Sequence, residues 1–454
     1  MTIDVTPLVQ ALGDDRVLVE PDRMAGYRWD RAGDPDAGTP LAVVRAESTS
    51  DVQVAVRFAA NHAIAVVPRG AGSGLSGGAS ARDGCIVVST ERMRELHIDP
   101  ATRTAVVQPG LFTAEVKAAA AAYGLWYPPD PSSYEICSIG GNVATNAGGL
   151  CCVKYGVTSD YVLGLSVVLA NGTAVTLGGP RLKDVAGLSL TKLFVGSEGT
   201  LGIVTEIVLR LIPAQEPLST IVATFASLDD STQAVLDITR QLRPAMLEFM
   251  DQTTITAVDD LTRMGLNRDA KAMLVIQSDQ PGQYASVECA KIAQVCRENR
   301  ASEIVSTDDP TEGEAFVVAR RMAIPAVEKK GPLLLEDVGV PVPQLGALVR
   351  GIDRLADQHG VTIAVIAHAG DGNTHPLIVC DRSDAELAAR AQLAYGDVMG
   401  LAIALGGTIT GEHGVGRIKK PWLADYLGPA ALALNQRVKQ ALDPLGIMNP
   451  GTIL

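Results

Sequence analysis

Short runs of aliphatic and β-branched residues alternate with amphipathic segments along the chain. Before residue 215, the runs LAVVRAES, IAVVP, CIVVS, TAVVQPG, LGLSVVLA and TAVTLGG predict strands, and DVQVAVRFAANHA and TAEVKAAAAAYG predict helices. Later strand candidates (STIVATFA, AMLVIQS, GPLLLEDVGVP, VTIAVIAHAG) are separated by longer amphipathic helices, an order that favours an antiparallel sheet covered by helices. We therefore predict an α+β protein that ends in a C-terminal helical return.

Chain length and proline positions suggest how this pattern divides. The 454 residues exceed an ordinary domain of roughly 100–200 residues, and Pro213 and Pro217 flank a polar stretch near residue 215. We predict a first domain over 1–215, with its core at about 38–215. A second domain follows over 216–415, and a segment over 416–454 returns to the first.

Composition excludes several classes of protein. The 38 basic and 51 acidic side chains give a net charge of −13, which argues against nucleic-acid binding. The seven cysteines are few, odd in number and never spaced CxxC, so we expect a reduced, cytoplasmic protein. No apolar run reaches the roughly 18 residues that a membrane helix needs and no secretory signal is visible, so we expect neither a transmembrane segment nor a signal peptide. Glycine is the informative residue, because it is clustered at 70–78, 140–149, 196–202, 370–372 and 406–416.

The first glycine cluster, IAVVPRGAGSGLSGGAS, follows a predicted strand. It contains GxGxxG, but only SARDG separates it from the next strand, so the helix that a dinucleotide-binding fold requires is missing. A strand that leads into a glycine loop beside Arg69 favours an anion-binding cradle of backbone amides, and a tight strand connection is the alternative.

Two further clusters extend this picture. YPPDPSSYEICSIGGNVATNAGG combines rigid prolines with small residues that would let a flat ligand lie against backbone, although a Gly/Pro loop with a short buried helix explains it equally well. In VGSEGTLGIVTEIVLRL, one strand enters a glycine turn and another leaves it.

Together the three clusters resemble the flavin-binding module of the vanillyl-alcohol-oxidase/p-cresol-methylhydroxylase superfamily. The resemblance implies a two-subdomain FAD-binding (PCMH-type) module and a second, cap domain that binds substrate. It implies that FAD is bound non-covalently, because no histidine lies in residues 64–80. The implied FAD-binding residues are Pro68, Arg69, Gly70, Ala71, Gly72, Ser73, Gly74, Leu75, Pro129, Ser132, Ser133, Gly140, Gly141, Asn142, Thr145, Asn146, Gly148, Gly149, Glu198, Gly202, Ile203 and Asn449.

A histidine pair in AVIAHAGDGNTHPLIV indicates a metal site. If Asp371 and Gly372 form a two-residue hairpin turn, His368 lies directly opposite His375, with Cβ atoms about 5 Å apart. Two imidazoles in this arrangement suit one divalent metal, and Asn373 points to the same face. A pair of structural histidines is the alternative.

The dipeptide Glu412-His413 in GGTITGEHGVGR offers a further carboxylate and a further imidazole. Two histidines and one carboxylate leave open positions on a metal, as catalysis requires, whereas a solvated surface pair is the alternative. The zincin sequence HExxH is absent from the chain, which argues against a peptidase.

HAGDGNTH, GEHGVG and the ending DPLGIMNPGTIL resemble motifs of the FAD-linked D-2-hydroxyacid dehydrogenases, the D-lactate dehydrogenase and glycolate oxidase group. The resemblance implies that His368, His375 and Glu412 bind zinc or manganese, that Asn373 contacts substrate and that His413 is the general base. Arg320 in ARRMAIPAV is the implied receptor for the substrate carboxylate, with the adjacent Arg321 as the alternative.

The expected reaction is oxidation of a small D-2-hydroxy acid to the 2-oxo acid, by metal-assisted deprotonation of the hydroxyl and hydride transfer to flavin. The 2-hydroxyglutarate branch of the family carries Thr and Lys where this chain has Ile324 and Leu335, which favours a D-lactate-like or glycolate-like substrate over the diacid. A D-2-hydroxyglutarate dehydrogenase, a non-redox transferase on the same scaffold and a flavin subunit of a larger electron-transfer complex stay open.

The partners are expected to follow from that reaction. Electrons would pass to a quinone, a cytochrome, an electron-transfer flavoprotein or oxygen, and the acceptor could hold the protein at the inner membrane as a peripheral component. The sequence leaves open whether the chain forms a homodimer.

Overall fold

The computed structural model describes residues 3–454, and the chain forms two compact units. The first comprises Met1–Gly148, Val157–Ala214 and Glu412–Leu454, and the second comprises Gly149–Gly156 and Gln215–Gly411. The segment Gly149–Gly156, which the sequence pattern assigned to the first domain, therefore belongs to the second unit. It is held there because Lys154 and Tyr155 both bond the carboxylate of Asp279.

The first unit is built on two main sheets of short strands. Its strands are β1 (Val17–Leu18), β2 (Ala42–Arg45), β3 (Val66–Arg69), β4 (Ile86–Ser89), β5 (Leu96–Asp99), β6 (Thr104–Val107), β7 (Leu125–Trp126), β8 (Val162–Val168), β9 (Ala174–Gly178), β10 (Ile203–Arg210) and β11 (Ile212–Pro213). Its helices are α1 (Thr6–Leu12), α2 (Pro21–Met24), α3 (Thr49–His62), α4 (Thr113–Ala121), α5 (Ile139–Thr145), α7 (Leu190–Phe194) and α15 (Lys420–Leu442).

The two sheets differ in strand direction. The first has the order β1-β2-β4-β3, in which β2, β4 and β3 run parallel. The second has the order β5-β6-β10-β8-β9 and is antiparallel throughout. A separate core of aliphatic side chains stabilises each sheet, which confirms the mixed α and β organisation and agrees with the two subdomains expected of the flavin module.

The second unit is one large antiparallel sheet with helices, as the alternation of strand and helix patterns predicted. Its strands are β12 (Ser219–Phe225), β13 (Met246–Asp251), β14 (Ala272–Ser278), β15 (Ala301–Thr307), β16 (Leu333–Leu335), β17 (Val338–Gly339), β18 (Ile363–His368) and β19 (Asn373–Val379). Its helices are α6 (Cys152–Tyr155), α8 (Leu228–Gln241), α9 (Gln252–Thr262), α10 (Gln283–Glu298), α11 (Pro310–Arg321), α12 (Ala323–Glu328), α13 (Leu345–His359) and α14 (Ala385–Ala404).

The strand order of this sheet is β15-β12-β14-β13-β18-β19-β16, and β17 also pairs with β19. The predicted strand in GPLLLEDVGVP is divided into β16 and β17, and the buried residues Glu336 and Asp337 lie between them. Side chains of one face of β13, β18 and β19 form a core with α9, α11 and α12. Among residues 3–454, no helix is both long and apolar enough to span a bilayer.

Candidate active site

The two histidines of the predicted metal site lie on the adjoining strands β18 and β19. The predicted register is wrong, because His368 pairs with Asn373 and not with His375. The connecting loop has four residues, 369–372, because the Asp371 and Gly372 amides both donate to the His368 carbonyl oxygen, at 3.2 and 3.0 Å. His368 and His375 are therefore diagonal neighbours on one face, and their ring centroids still lie 5.1 Å apart.

Each histidine ring is buried, and each faces a fully buried carboxylate. His368 Nδ1 lies 2.7 Å from Glu248 Oε1, and His375 Nδ1 lies 3.8 Å from Asp337 Oδ1. One ring nitrogen of His368 also lies within 4.8 Å of one ring nitrogen of His375. A carboxylate at Nδ1 favours the tautomer in which Nε2 carries the lone pair, which is the form that binds a metal. The donor chemistry of this pair therefore suits zinc or manganese.

Asp337 also fixes the chain that leads to Glu412. Its Oδ2 accepts from Thr410 Oγ1 at 2.6 Å and from the Gly411 amide at 3.0 Å. Glu412 is the next residue along the chain. One buried carboxylate thus faces His375 and anchors the backbone directly before the predicted third ligand.

Asn373 is buried beside this segment. Its side-chain Oδ1 has no hydrogen-bond partner among residues 3–454. The second unit therefore contains a buried amide whose oxygen is available to a ligand. Gly411 packs against the same amide, because a Cβ built on Gly411 would lie within 2.7 Å of its oxygen, carbon and nitrogen. Only glycine lets the backbone pass this close.

The two candidate arginines have different environments. Arg320, in the last turn of α11, is 2% exposed, and its Nη2 lies 2.7 Å from Glu248 Oε2. The angle is too poor for an aligned hydrogen bond, and Arg320 Nε is buried with no hydrogen-bond partner among the described residues. Arg321 is partly exposed and pairs with Glu314. A buried guanidinium with an unused donor suits a carboxylate ligand, and its deep burial favours Arg320 over the partly exposed Arg321.

Glu412 and His413 begin the C-terminal segment of the first unit. Glu412 Oε1 lies 3.8 Å from His413 Nε2, and both side chains are largely buried. The backbone here is anchored to the first glycine loop, because Ser76 Oγ donates to the His413 carbonyl oxygen at 3.2 Å. The predicted base therefore sits on a fixed segment of the unit that carries the flavin motifs.

Glu198 secures the rest of that segment. Its carboxylate accepts from the Val415 and Gly416 amides at 2.8 and 2.9 Å. Its carbonyl oxygen accepts from Asn449 Nδ2, which also donates to the Gly78 carbonyl oxygen. Burial raises the pKa of Glu198 to about 7. Two of the predicted flavin residues, Glu198 and Asn449, thus join the glycine loop to the C-terminal segment.

The first glycine loop is built on Arg69. Its guanidinium donates to the carbonyl oxygens of Gly26 and Ala79, at 3.2 and 3.3 Å, and these hydrogen bonds stabilise the loop. Gly72 lies over it at a φ of +73°, where a Cβ would overlap the guanidinium. The glycines therefore allow close approach of backbone, which is the property that a phosphate cradle needs.

Ser138 connects the first two glycine clusters. Its Oγ accepts from the Ala71 amide at 3.1 Å and from the Gly141 amide at 3.3 Å, and a Cβ on Gly70 would overlap it. The loop over 70–75 and the start of α5 are therefore packed directly on each other.

The other predicted flavin residues lie in several environments. Asn142 donates to Thr113 Oγ1 at 2.7 Å, and Asn146 accepts from the Ser159 amide at 2.8 Å, so both side chains hold local structure. Ile203 is buried in the core, and Gly149 belongs to the second unit. Contacts from these four residues to a flavin stay a prediction, as do those from Pro68, Pro129, Ser132, Ser133, Gly140, Thr145, Gly148 and Gly202.

Sequence reasoning did not single out Glu248, Asp337 or Glu336. All three are fully buried carboxylates, and burial together with the nearby charges of Glu336 and Asp337 raises the pKa of Tyr395. The signal was a charged residue inside a run of large apolar ones, MLEFMD and LLLEDVGV. A buried strand tolerates such a residue only where a partner compensates its charge.

Two protein-family models match the chain. The model "FAD binding domain" matches residues 40–178, and the model "FAD linked oxidases, C-terminal domain" matches residues 214–453. Glycolate oxidase subunit GlcD of Bacillus subtilis is 41% identical over 91% of this chain and 88% of its own length. D-lactate dehydrogenase of Archaeoglobus fulgidus is 33% identical over 94% of this chain and 95% of its own length.

Solved structures share the fold at low identity. p-Cresol methylhydroxylase superposes with a TM-score of 0.82, covering 98% of this chain and 95% of that chain, at 18% identity. A 4-ethylphenol oxidase from Gulosibacter chungangensis gives 0.79 at 19% identity, covering 99% of this chain and 96% of that one. These likenesses confirm the superfamily fold that the glycine motifs indicated.

Proposed function

Because the chain belongs to the FAD-linked oxidase family and is an FAD-linked oxidoreductase of hydroxy acids, we propose that its substrate is a small 2-hydroxy acid, D-lactate or glycolate. The product is the corresponding 2-oxo acid. The names of the two relatives support this substrate class, and the side chains of the second unit support it independently.

One observation carries the proposal. Glu248 joins the candidate metal ligand His368 to the candidate carboxylate receptor Arg320, with 2.7 Å between the paired atoms on each side. A 2-hydroxy acid carries its hydroxyl and carboxylate on adjacent carbons. A metal ligand and an arginine that share one carboxylate suit that pair of groups.

The residues present suit both cofactors. The glycine loops of the first unit provide the close backbone approach that FAD requires. Two histidines and one glutamate, such as His368, His375 and Glu412, are residue types typical of zinc or manganese ligands. When bound, FAD supplies the acceptor for the hydride that leaves C2, and the divalent cation supplies the Lewis acidity that lowers the pKa of the hydroxyl.

The chain's own residues orient the substrate and move its proton. Arg320 binds the carboxylate through its unused donor, and the side-chain amide of Asn373 contacts the substrate. His413 accepts the hydroxyl proton as general base. Glu412 and His413 are adjacent in sequence, so the fixed backbone of this segment positions the third ligand and the base together.

The two positions at which this chain differs from the 2-hydroxyglutarate branch of the family favour a short substrate. Ile324 and Leu335 both pack against the core formed with α9, α11 and α12. A second carboxylate, as in 2-hydroxyglutarate, would need a polar or cationic partner where these two apolar side chains lie.

A flavin subunit of a larger complex is the second candidate, because the Bacillus subtilis relative is named as a subunit. A single purified chain that turns over with an artificial dye would argue against it. The non-redox transferase has no supporting observation beyond a shared fold with alkyldihydroxyacetonephosphate synthase at 18% identity.

The test is anaerobic reduction of the purified flavoprotein by a panel of D- and L-2-hydroxy acids. We expect bleaching of the flavin by D-lactate or glycolate, and weak or no bleaching by D-2-hydroxyglutarate. His413→Ala should retain FAD and lose bleaching. Preferential bleaching by the diacid would overturn the substrate assignment, and unchanged activity after thorough metal removal would overturn the role of the cation.

A further inference from the structure

We propose that Glu248 is a positioning residue shared by two functions, orientation of the metal ligand His368 and orientation of the carboxylate receptor Arg320. The inference rests on the proposed function for the roles of those two residues. It adds that metal binding and substrate binding are coupled through one buried carboxylate.

The strand pairing places Glu248 for this role. It lies in the middle of β13 and pairs directly with His368 across the antiparallel β13–β18 ladder, so the two side chains share a face. This is the face that packs on α9, α11 and α12, and Arg320 is in the last turn of α11. Helix and strand therefore bring a cation and an imidazole to the same carboxylate.

Both oxygens of Glu248 are used, one by each partner. Oε1 accepts from His368 Nδ1, and Oε2 faces Arg320 Nη2. The carboxylate is fully buried, and its two partners are 2–3% exposed. An isolated charge at such a site would be strongly destabilising, so the carboxylate needs a compensating partner, and Arg320 and His368 both provide one.

The two contacts have different consequences. A carboxylate on the second nitrogen of a metal-binding histidine fixes the ring and raises its basicity, and its loss commonly costs about 10–100-fold in metal affinity. The contact to Nη2 holds one edge of the guanidinium, and the buried Nε remains to bind a substrate carboxylate. Glu248 thus sets the position of a metal ligand and of the residue that binds the substrate carboxylate.

Glu248→Gln removes the negative charge of the side chain and keeps its size and shape. The amide has one acceptor oxygen and can serve only one partner, and it removes the negative charge that both partners share. We expect Zn²⁺ affinity to fall by about 10–100-fold and the KM for the 2-hydroxy acid to rise by a similar factor. Zn²⁺ affinity is measured on the metal-free, FAD-loaded protein by competition with a chelator.

Glu288→Gln is the matched control. Glu288 is a buried glutamate of α10 in the same unit, bonded to Ser278 and away from both partners of Glu248. It should leave Zn²⁺ affinity and KM unchanged. If Glu248→Gln also leaves both unchanged, the shared role is wrong.

Arg320→Met tests whether Glu248 is shared by removing its arginine partner instead of the carboxylate. This variant also covers the case in which Glu248→Gln does not fold. With the arginine gone, the carboxylate acts on His368 alone, so Zn²⁺ affinity should rise a few-fold although no metal ligand has changed. Unchanged or weaker Zn²⁺ binding would overturn the inference.

Wild type and His368→Ala keep the two proposals apart. If the wild type binds no Zn²⁺, or binds it equally well without His368, the proposed metal site fails and the shared role fails with it. If His368 is required but neither Glu248→Gln nor Arg320→Met changes Zn²⁺ affinity or KM as expected, only the present inference fails.

Discussion

Replacing Gly411 by alanine should displace the amide of Asn373. The new Cβ would lie within 2.7 Å of three amide atoms, whereas ordinary van der Waals contact begins at 3.4 Å. The amide must therefore move by about 1 Å, and misplacement of a substrate contact by that distance costs roughly 100-fold in rate. We expect kcat/KM to fall about 100-fold, equivalent to about 3 kcal/mol of transition-state stabilisation.

The assay compares dye-linked turnover with unfolding in urea. Gly346→Ala is the control, because its Cβ would lie 2.7 Å from Thr232 Oγ1, a smaller overlap of the same kind between α13 and α8. Both variants should lose about 1–3 kcal/mol of unfolding free energy, as overpacked sites do, and only Gly411→Ala should lose turnover. In an Asn373→Ala background, Gly411→Ala should cost little more. Equal turnover by Gly411→Ala and Gly346→Ala would refute the role of Asn373.

Three further variants test other parts of the chain. Glu198, with its pKa raised to about 7, stays protonated in the folded state where the unfolded chain is ionised. Stability should therefore fall by about 3 kcal/mol as pH rises from about 4 to 7, and Glu198→Gln should lose this slope in urea unfolding at pH 5 and 8. Gly70→Ala overlaps Ser138 Oγ and should weaken FAD binding, measured by release of flavin fluorescence on dilution. Gly400 is exposed and lies well inside the length of α14, and no atom lies within 4 Å of the Cβ that an alanine would add. Gly400→Ala should therefore raise the free energy of unfolding by about 0.5–1 kcal/mol. A decrease in that free energy would contradict the open space around this position.

Hydrophobic patterning predicted most of the strands and helices, because their periods depend on local sequence. The His368–His375 hairpin shows the limit of that reasoning. An Asp-Gly pair is a common two-residue turn, yet here both amides of the pair bond back to His368, and the loop becomes two residues longer. The strand pairing is shifted by two residues from the predicted register, and a shift of two leaves each side chain on the same face of the sheet. The predicted proximity of the two histidine rings is therefore correct although the predicted register is wrong.

Glu248 shows what patterning could not supply. Its burial could be predicted from the apolar residues on either side. Its partners Arg320 and His368, however, lie 72 and 120 residues away in sequence. Which cation compensates a buried carboxylate depends on how strand and helix pack, and that is a tertiary property. The same holds for Glu198, which was predicted as a flavin contact and bonds the backbone of Val415 and Gly416.

The first unit is assembled from three stretches of chain, and this has a consequence for synthesis. In its parallel sheet, β3 is an edge strand, and Val66 makes its outer bridge with Met448, near the end of the chain. Until residue 448 leaves the ribosome, that edge stays open, and open edges are where nascent chains aggregate. The first unit is thus begun before the second and completed after it, so a ribosome that stalls before residue 448 leaves a polypeptide whose parallel sheet has an open edge.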